Sequence, residues 1–114
     1  IDVEGALPED ARVAAAFLQI IREASTNATK HAQAHRVHVR LWQERTDADA
    51  VAHMTISNDG SPAPVSYREG TGIPGMRHVA QDLGGSLEVH ATPPFTLTAS
   101  IPFNASDTSQ RRNS

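Results

Sequence analysis

Between Pro8 and Ala34 the chain spells one long amphipathic helix, with a row of polar side chains along the border of its apolar stripe. Phe17, Ile20, Ile21, Ala24 and Ala28 recur at the spacing of a buried helical face. Pro8, Glu9 and Asp10 suit its start, since proline is tolerated in a first turn and acids favour the positive helix end. Within Arg22–His35 stand Glu23, Asn27, Lys30 and His31, at offsets 0, 4, 7 and 8. At about 100° per residue they share one side of the helix. An acid, an amide, a cation and an imidazole in one row suit a hydrated metal ion and a polyphosphate. Asn27 offers a neutral oxygen to a hard cation that keeps most of its waters. Glu23 can hold a metal-bound water or orient a nucleophile. Lys30 can reach phosphate oxygens as a point charge, and His31 can hydrogen-bond a ribose or a phosphate. A solvated helix face with one capping amide would show the same spacing, so the row needs support from elsewhere.

The remaining pattern is that of strands and a second helix. Residues 2–7 form a lead-in with a brief edge strand. Arg36–Arg45 alternates, with Val37, Val39 and Leu41 on one side and Arg36, His38 and Arg40 on the other, which predicts a half-buried strand. Thr46–Asp49 is a polar turn, and Val51–Ser57 completes an antiparallel hairpin. Asn58–Thr71, with Gly60, Pro62, Pro64 and Gly70, has no sustained period and reads as a long loop. Loops of this length inside a compact domain are usually functional or mobile. Gly72–Gly75 leads into a second helix over Met76–Leu83, closed by Gly84-Gly85. Ser86–Ala91 and Thr96–Pro102 are two further strands joined across Pro93-Pro94, and 104–114 is a polar, aperiodic tail expected to be disordered.

Two more segments carry chemistry. In Ile56-Ser57-Asn58-Asp59-Gly60 a strand ends in short polar side chains and a glycine. Such an end can set an acceptor against the exocyclic amine of a base, while Gly60 lets the ring approach the backbone. The plain alternative is a tight turn, which Asp-Gly favours. Gly70-Thr71-Gly72-Ile73-Pro74-Gly75-Met76 lies at a loop-to-helix junction, where free backbone N–H groups attract anions. It is not a G-x-x-x-x-G-K-[ST] phosphate loop, and no strand directly precedes it as a dinucleotide fingerprint would require. The plain alternative there is a flexible hinge.

Composition narrows the classes. The 114 residues suit a single domain able to bury a core. A net charge of -3 argues against broad electrostatic binding to nucleic acid, so any phosphate site must be local. With 0 cysteines there is neither a disulfide framework nor a thiolate metal site, which is compatible with the reducing cytoplasm. The 6 histidines (31, 35, 38, 53, 78, 90) include no H-E-x-x-H pair, and no serine sits in a G-x-S-x-G elbow. No apolar run is long enough to span a membrane and no signal peptide opens the chain. The first residue, Ile rather than Met, suggests a piece of a longer protein.

The three segments, taken together and in this order, resemble the ATP-binding catalytic domain of bacterial sensor histidine kinases. That domain belongs to the GHKL superfamily, with DNA gyrase, heat-shock chaperones and mismatch-repair ATPases. Glu23-Ala24-Ser25-Thr26-Asn27-Ala28-Thr29-Lys30-His31-Ala32 is similar to the family's E-A-x-x-N-A-x-K-H-A, and Gly70–Met76 to G-x-G-L-x-G-M, with Ile73 for Leu. Leu83-Gly84-Gly85-Ser86-Leu87 is similar to L-G-G-x-L. The resemblance implies an α+β fold: a two-layer α/β sandwich of the Bergerat type, with a mixed, mostly antiparallel sheet and helices on one face. It would fill residues 1–103.

The resemblance also implies the cofactors ATP and Mg²⁺ and a role for each site residue. Asn27 would ligate the metal, and Glu23 would hold a metal-bound water or assist the attacking group. Lys30 would touch the phosphates and His31 would stand on the ribose side. Asn58 would meet the adenine amine in a pocket shaped by Gly60. Gly70, Thr71, Gly72, Ile73, Gly75 and Met76 would line the triphosphate, Ser61–Gly70 would be a lid, and Thr96 remains from a last glycine-rich box. Three departures stand out. Asn58 replaces the usual Asp, Pro62 replaces a glycine, and Pro93-Pro94-Phe95 replaces most of the last box. The implied function is delivery of the γ-phosphoryl group to a histidine on a separate, upstream dimerisation domain, with a response regulator as the next partner. The implied location is cytoplasmic, as the soluble part of a sensor that can itself be membrane-bound, with no nucleic acid or membrane contact by this domain. Alternatives are a non-catalytic nucleotide-sensing or interaction module, suggested by the departures, and a serine kinase of the anti-sigma type on the same fold.

Overall fold

A computed structural model describes residues 2–31, 36–59, 73–90 and 96–104, with the side chains of 27–31 left undescribed. Its elements are β1 (Asp2–Glu4), α1 (Ala11–His31), β2 (Val37–Arg45), β3 (Asp49–Asn58), α2 (Ile73–Asp82), β4 (Ser86–His90) and β5 (Thr96–Asn104). The strands form one sheet in the order β1-β2-β3-β5-β4. β1 runs parallel to β2 and the other pairs are antiparallel. Both described helices lie on one face: α1 packs on β2 and β3, α2 on β4 and β5, and the helices touch each other. This is the two-layer α+β sandwich that the sequence implied.

Alternation in the strands builds the shared core. Val37, Val39 and Leu41 of β2, Ala50, Ala52, Met54 and Ile56 of β3, and Leu97, Ala99, Ile101 and Phe103 of β5 are buried. Helix α1 buries Val13, Ala16, Phe17, Ile20 and Ala24 against them, and α2 adds Ile73, Met76 and Ala80. The carboxylate of Asp10 caps α1, its Oδ1 accepting the N–H of Arg12 at 2.9 Å and of Val13 at 3.3 Å. Helix α2 ends as its glycine pair predicts. Gly84 takes φ 80°, and the N–H of Gly85 reaches the carbonyl of Ala80 at 2.9 Å while that of Gly84 reaches Gln81. This is a Schellman closure, which a residue with a Cβ makes poorly.

The opposite face of the sheet carries polar and aromatic side chains. Trp42 stacks on its cross-strand neighbour His53, with ring centroids 5.1 Å apart, and the Arg40 guanidinium lies 5.4 Å from the Trp42 ring. His53 shares a 2.9 Å hydrogen bond between Nδ1 and Ser100 Oγ. Its Nε2 lies 2.6 Å from Glu44 Oε1, a close contact without hydrogen-bond alignment. At the β1 edge Glu4 lies between His38 and Arg40.

Several boundaries differ from expectation. Helix α1 starts at Ala11, because Asp10 is its cap rather than its first turn. Helix α2 starts at Ile73, three residues early, since buried Ile73 anchors it and Pro74 is compatible with a first turn. Asn58 belongs to β3 rather than to the loop after it, and β5 runs on to Asn104. The end of the first helix at Ala34, the lid Ser61–Gly70, the link across Pro93-Pro94 and the tail from residue 105 lie outside the described residues.

Candidate functional site

Helix α1 is unbroken through His31, so the backbone positions of Glu23, Asn27, Lys30 and His31 follow one another along one flank. Their offsets span an arc of about 100° on a regular helix. Of the four, only the Glu23 side chain is described. It is exposed and makes no ion pair among the described residues. Opposite it stands the first turn of α2. Glu23, Gln19, Gly75, Met76 and Val79 line a notch of about 180 Å³ between the two helices.

Asn58 sits at the far end of β3. Alternation with Met54 and Ile56 turns its side chain to the helix-bearing face, where it is 8% exposed. Its neighbour Asp59 is tied elsewhere: Oδ1 accepts the N–H of Arg36 at 3.0 Å, closing the open end of the β2–β3 hairpin. Asp59 is thereby held at the strand end while Asn58 faces the helices.

The structure divides the residues proposed from sequence. Glu23, Gly75 and Met76 meet at the notch, and Asn58 lies on the same layer of the sheet. Ile73 and Met76 are buried core side chains, 7% and 3% exposed. Thr96 is not brought to this side. It pairs with Ser57 and alternates with buried Leu97, which puts it on the polar face away from Asn58. Gly60, Gly70, Thr71 and Gly72 lie outside the described residues. Gln19 and Val79 were missed from sequence. Their signals were spacing alone, Gln19 one turn before Glu23 and Val79 three residues after Met76.

Fold and residue pattern together define a class, and comparison with known proteins agrees. The chain belongs to the family of histidine kinase-, DNA gyrase B- and HSP90-like ATPases, whose sequence profile matches residues 13–105. It is 34% identical over 100 residues to the signal transduction histidine-protein kinase/phosphatase UhpB of Salmonella typhimurium, covering 87% of this chain and 19% of that protein. It is 33% identical over 90 residues to the sensor histidine kinase DesK of Bacillus subtilis, covering 75% of this chain and 22% of the relative. The chain therefore spans about a fifth of these relatives. Among solved structures it is similar to the histidine kinase domain of the Erythrobacter litoralis EL346 blue-light activated kinase, with a TM-score of 0.63 at 23% identity over 87% of this chain and 52% of that one. It is also similar to the ATP binding domain of PrrB from Mycobacterium tuberculosis, with a TM-score of 0.59 at 22% identity over 90% and 79%. These structural likenesses concern the fold. Among the described residues no helix is long and apolar enough to cross a membrane.

Proposed function

We propose that this chain is the Mg-ATP-binding catalytic domain of a cytoplasmic sensor histidine kinase, and that it donates the γ-phosphoryl group to a histidine on a separate helical dimerisation domain. The observation that carries this reading is the uninterrupted α1 with Glu23, Asn27 and Lys30 on one flank, in a chain of the ATPase family. The donor set fits a hard cation: an amide oxygen from Asn27 and the exposed Glu23 carboxylate, which no described cation neutralises. Bound Mg²⁺ would supply charge neutralisation at the phosphates. Lys30 and the N–H groups at the start of α2 would hold the triphosphate, and Asn58 would accept a hydrogen bond from the adenine amine. Gly60, Gly70, Thr71 and Gly72 keep their proposed places as lining, His31 its place on the ribose side. Thr96 is dropped from the site because it faces the other way.

Phosphoryl transfer asks the protein for positioning and electrostatics rather than covalent help. In the proposed step an imidazole nitrogen lone pair forms the N–P bond while the bond from Pγ to the bridging oxygen breaks. ADP leaves with that electron pair. Glu23 accepts the proton from the other ring nitrogen. A response regulator would then receive the phosphoryl group.

The test is calorimetric titration with Mg-ATP of the parent chain and of Asn27→Ala. Micromolar-to-millimolar binding by the parent and near loss in the variant is expected. Equal weak binding by both would remove the metal row from the site and favour a degenerate nucleotide-binding or interaction module. The placement of Thr96 on the polar face, beside Asn58, Pro62 and Pro93-Pro94 as departures from the family pattern, is what speaks for that second reading. Supplying the upstream helical domain and scoring acid-labile phosphohistidine tests the transfer itself.

A further inference from the structure

We propose that Asp59 is a positioning residue for recognition of the nucleotide base: its carboxylate ends the β2–β3 ladder with a bond to Arg36 and so fixes how the Asn58 amide is presented. This rests on the reading of the chain as an Mg-ATP-binding domain.

The ladder shows how the end is made. β2 and β3 stay in register from Arg45↔Ala50 to Val37↔Asn58, which sets Arg36 and Asp59 opposite each other as the next pair. In a regular antiparallel sheet a hydrogen-bonded pair exchanges two main-chain bonds. Here the N–H of Asp59 reaches the carbonyl of Arg36 at 3.3 Å. The return bond comes from the side chain: the N–H of Arg36 donates to Asp59 Oδ1 at 3.0 Å. The carboxylate thus does what the main-chain carbonyl of residue 59 would do in a longer ladder. The last donor of β2 is satisfied, and the chain can leave the sheet directly after Asn58.

Asn58 depends on that closure. An amide reads a partner by its orientation, because its oxygen accepts while its nitrogen donates. A carboxylate offers acceptors on both sides and tolerates a turn of its plane; an amide does not. Strand ends fray where the pair beyond them is not made. With an amide at position 58, the acid at position 59 holds the strand end that carries it. Asp59 is a poor substitute ligand for the base amine, since its Oδ1 is engaged and the residue is exposed where Asn58 is buried. Arg36 adds a second tie. It is the first described residue after α1, whose last turns carry Asn27, Lys30 and His31. The same pair of bonds therefore joins the chain leaving the metal row to the strand end that meets the base.

The experiment titrates the chain with Mg-ATP and with Mg-tripolyphosphate, a probe that lacks a base, and follows hydrogen exchange at the Arg36 amide. Asp59→Ala should weaken Mg-ATP binding about three- to ten-fold, leave Mg-tripolyphosphate within about two-fold and quicken exchange at Arg36. Asp59→Asn keeps an oxygen for the same N–H and should return Mg-ATP affinity to within about two-fold of the parent. Arg36→Pro deletes the donor at a strand start, where proline is tolerated. It should reproduce the loss, make a further Asp59→Ala change silent, and decide the matter if Asp59→Ala does not fold. Unchanged Mg-ATP affinity in a folded Asp59→Ala or Arg36→Pro chain, equal losses toward both probes, or an Asp59→Asn chain no better than Asp59→Ala would each overturn the role of Asp59 alone. Failure of the parent chain to bind Mg-ATP would overturn the proposed function and this role with it.

Discussion

Replacing Asn58 by aspartate sets two opposing effects against each other at one atom. Asn58 is 8% exposed at the end of β3, on the helix-bearing face. A carboxylate there loses most of its hydration, so the free domain should lose about 1–3 kcal/mol. In a domain of this size each kcal/mol lowers Tm by roughly 4–8 °C. The sign with pH follows from burial. The introduced carboxyl has its folded pKa raised above the unfolded value, so the native state binds more protons between the two values and stability falls as pH rises through that window. The penalty vanishes below the unfolded pKa, and Asn58→Asp should approach the parent in acid. Nucleotide binding should move the other way. A hydrogen bond from the adenine amine to a carboxylate exceeds one to an amide by about 1 kcal/mol, a gain in affinity of roughly five-fold. Calorimetry with Mg-ATP reads this gain, and Mg-ITP is the control, because its base carries an oxygen where adenine has the amine. Expected is tighter ATP binding and weaker ITP binding by the variant. Equal changes toward both nucleotides, or none in a folded variant, would refute the placement of Asn58 at the amine.

Three further outcomes follow from packing. Phe17→Ala removes a side chain that is 0% exposed, and urea unfolding should show a loss of about 3–5 kcal/mol, enough to unfold much of the population in a marginal domain. Asp10→Ala leaves the N–H groups of Arg12 and Val13 without their carboxylate, and the same assay should read a loss of about 0.5–2 kcal/mol. Gly85→Ala drives a Cβ into the Ser100 carbonyl and the Ile101 backbone, so hydrogen exchange should quicken along β4 and β5 with a loss of about 1–3 kcal/mol.

Much of this protein is local and was readable from the chain. The α1 stripe, the Glu23–Asn27–Lys30–His31 row, the alternation of β2 and the glycine closure of α2 are patterns within a few turns or one strand, set by helical and strand periodicity. What the tertiary structure alone decided depends on elements far apart in sequence. Thr96 and Asn58 both end up at the same end of the sheet, yet on opposite faces, because the β3–β5 register pairs Thr96 with Ser57. Ile73 and Met76 became core because α2 needs buried anchors, a demand that appears only once the sheet exists to receive them. Gln19 and Val79 share a notch because two helices pack on neighbouring strands, and no period within either helix encodes the distance between them.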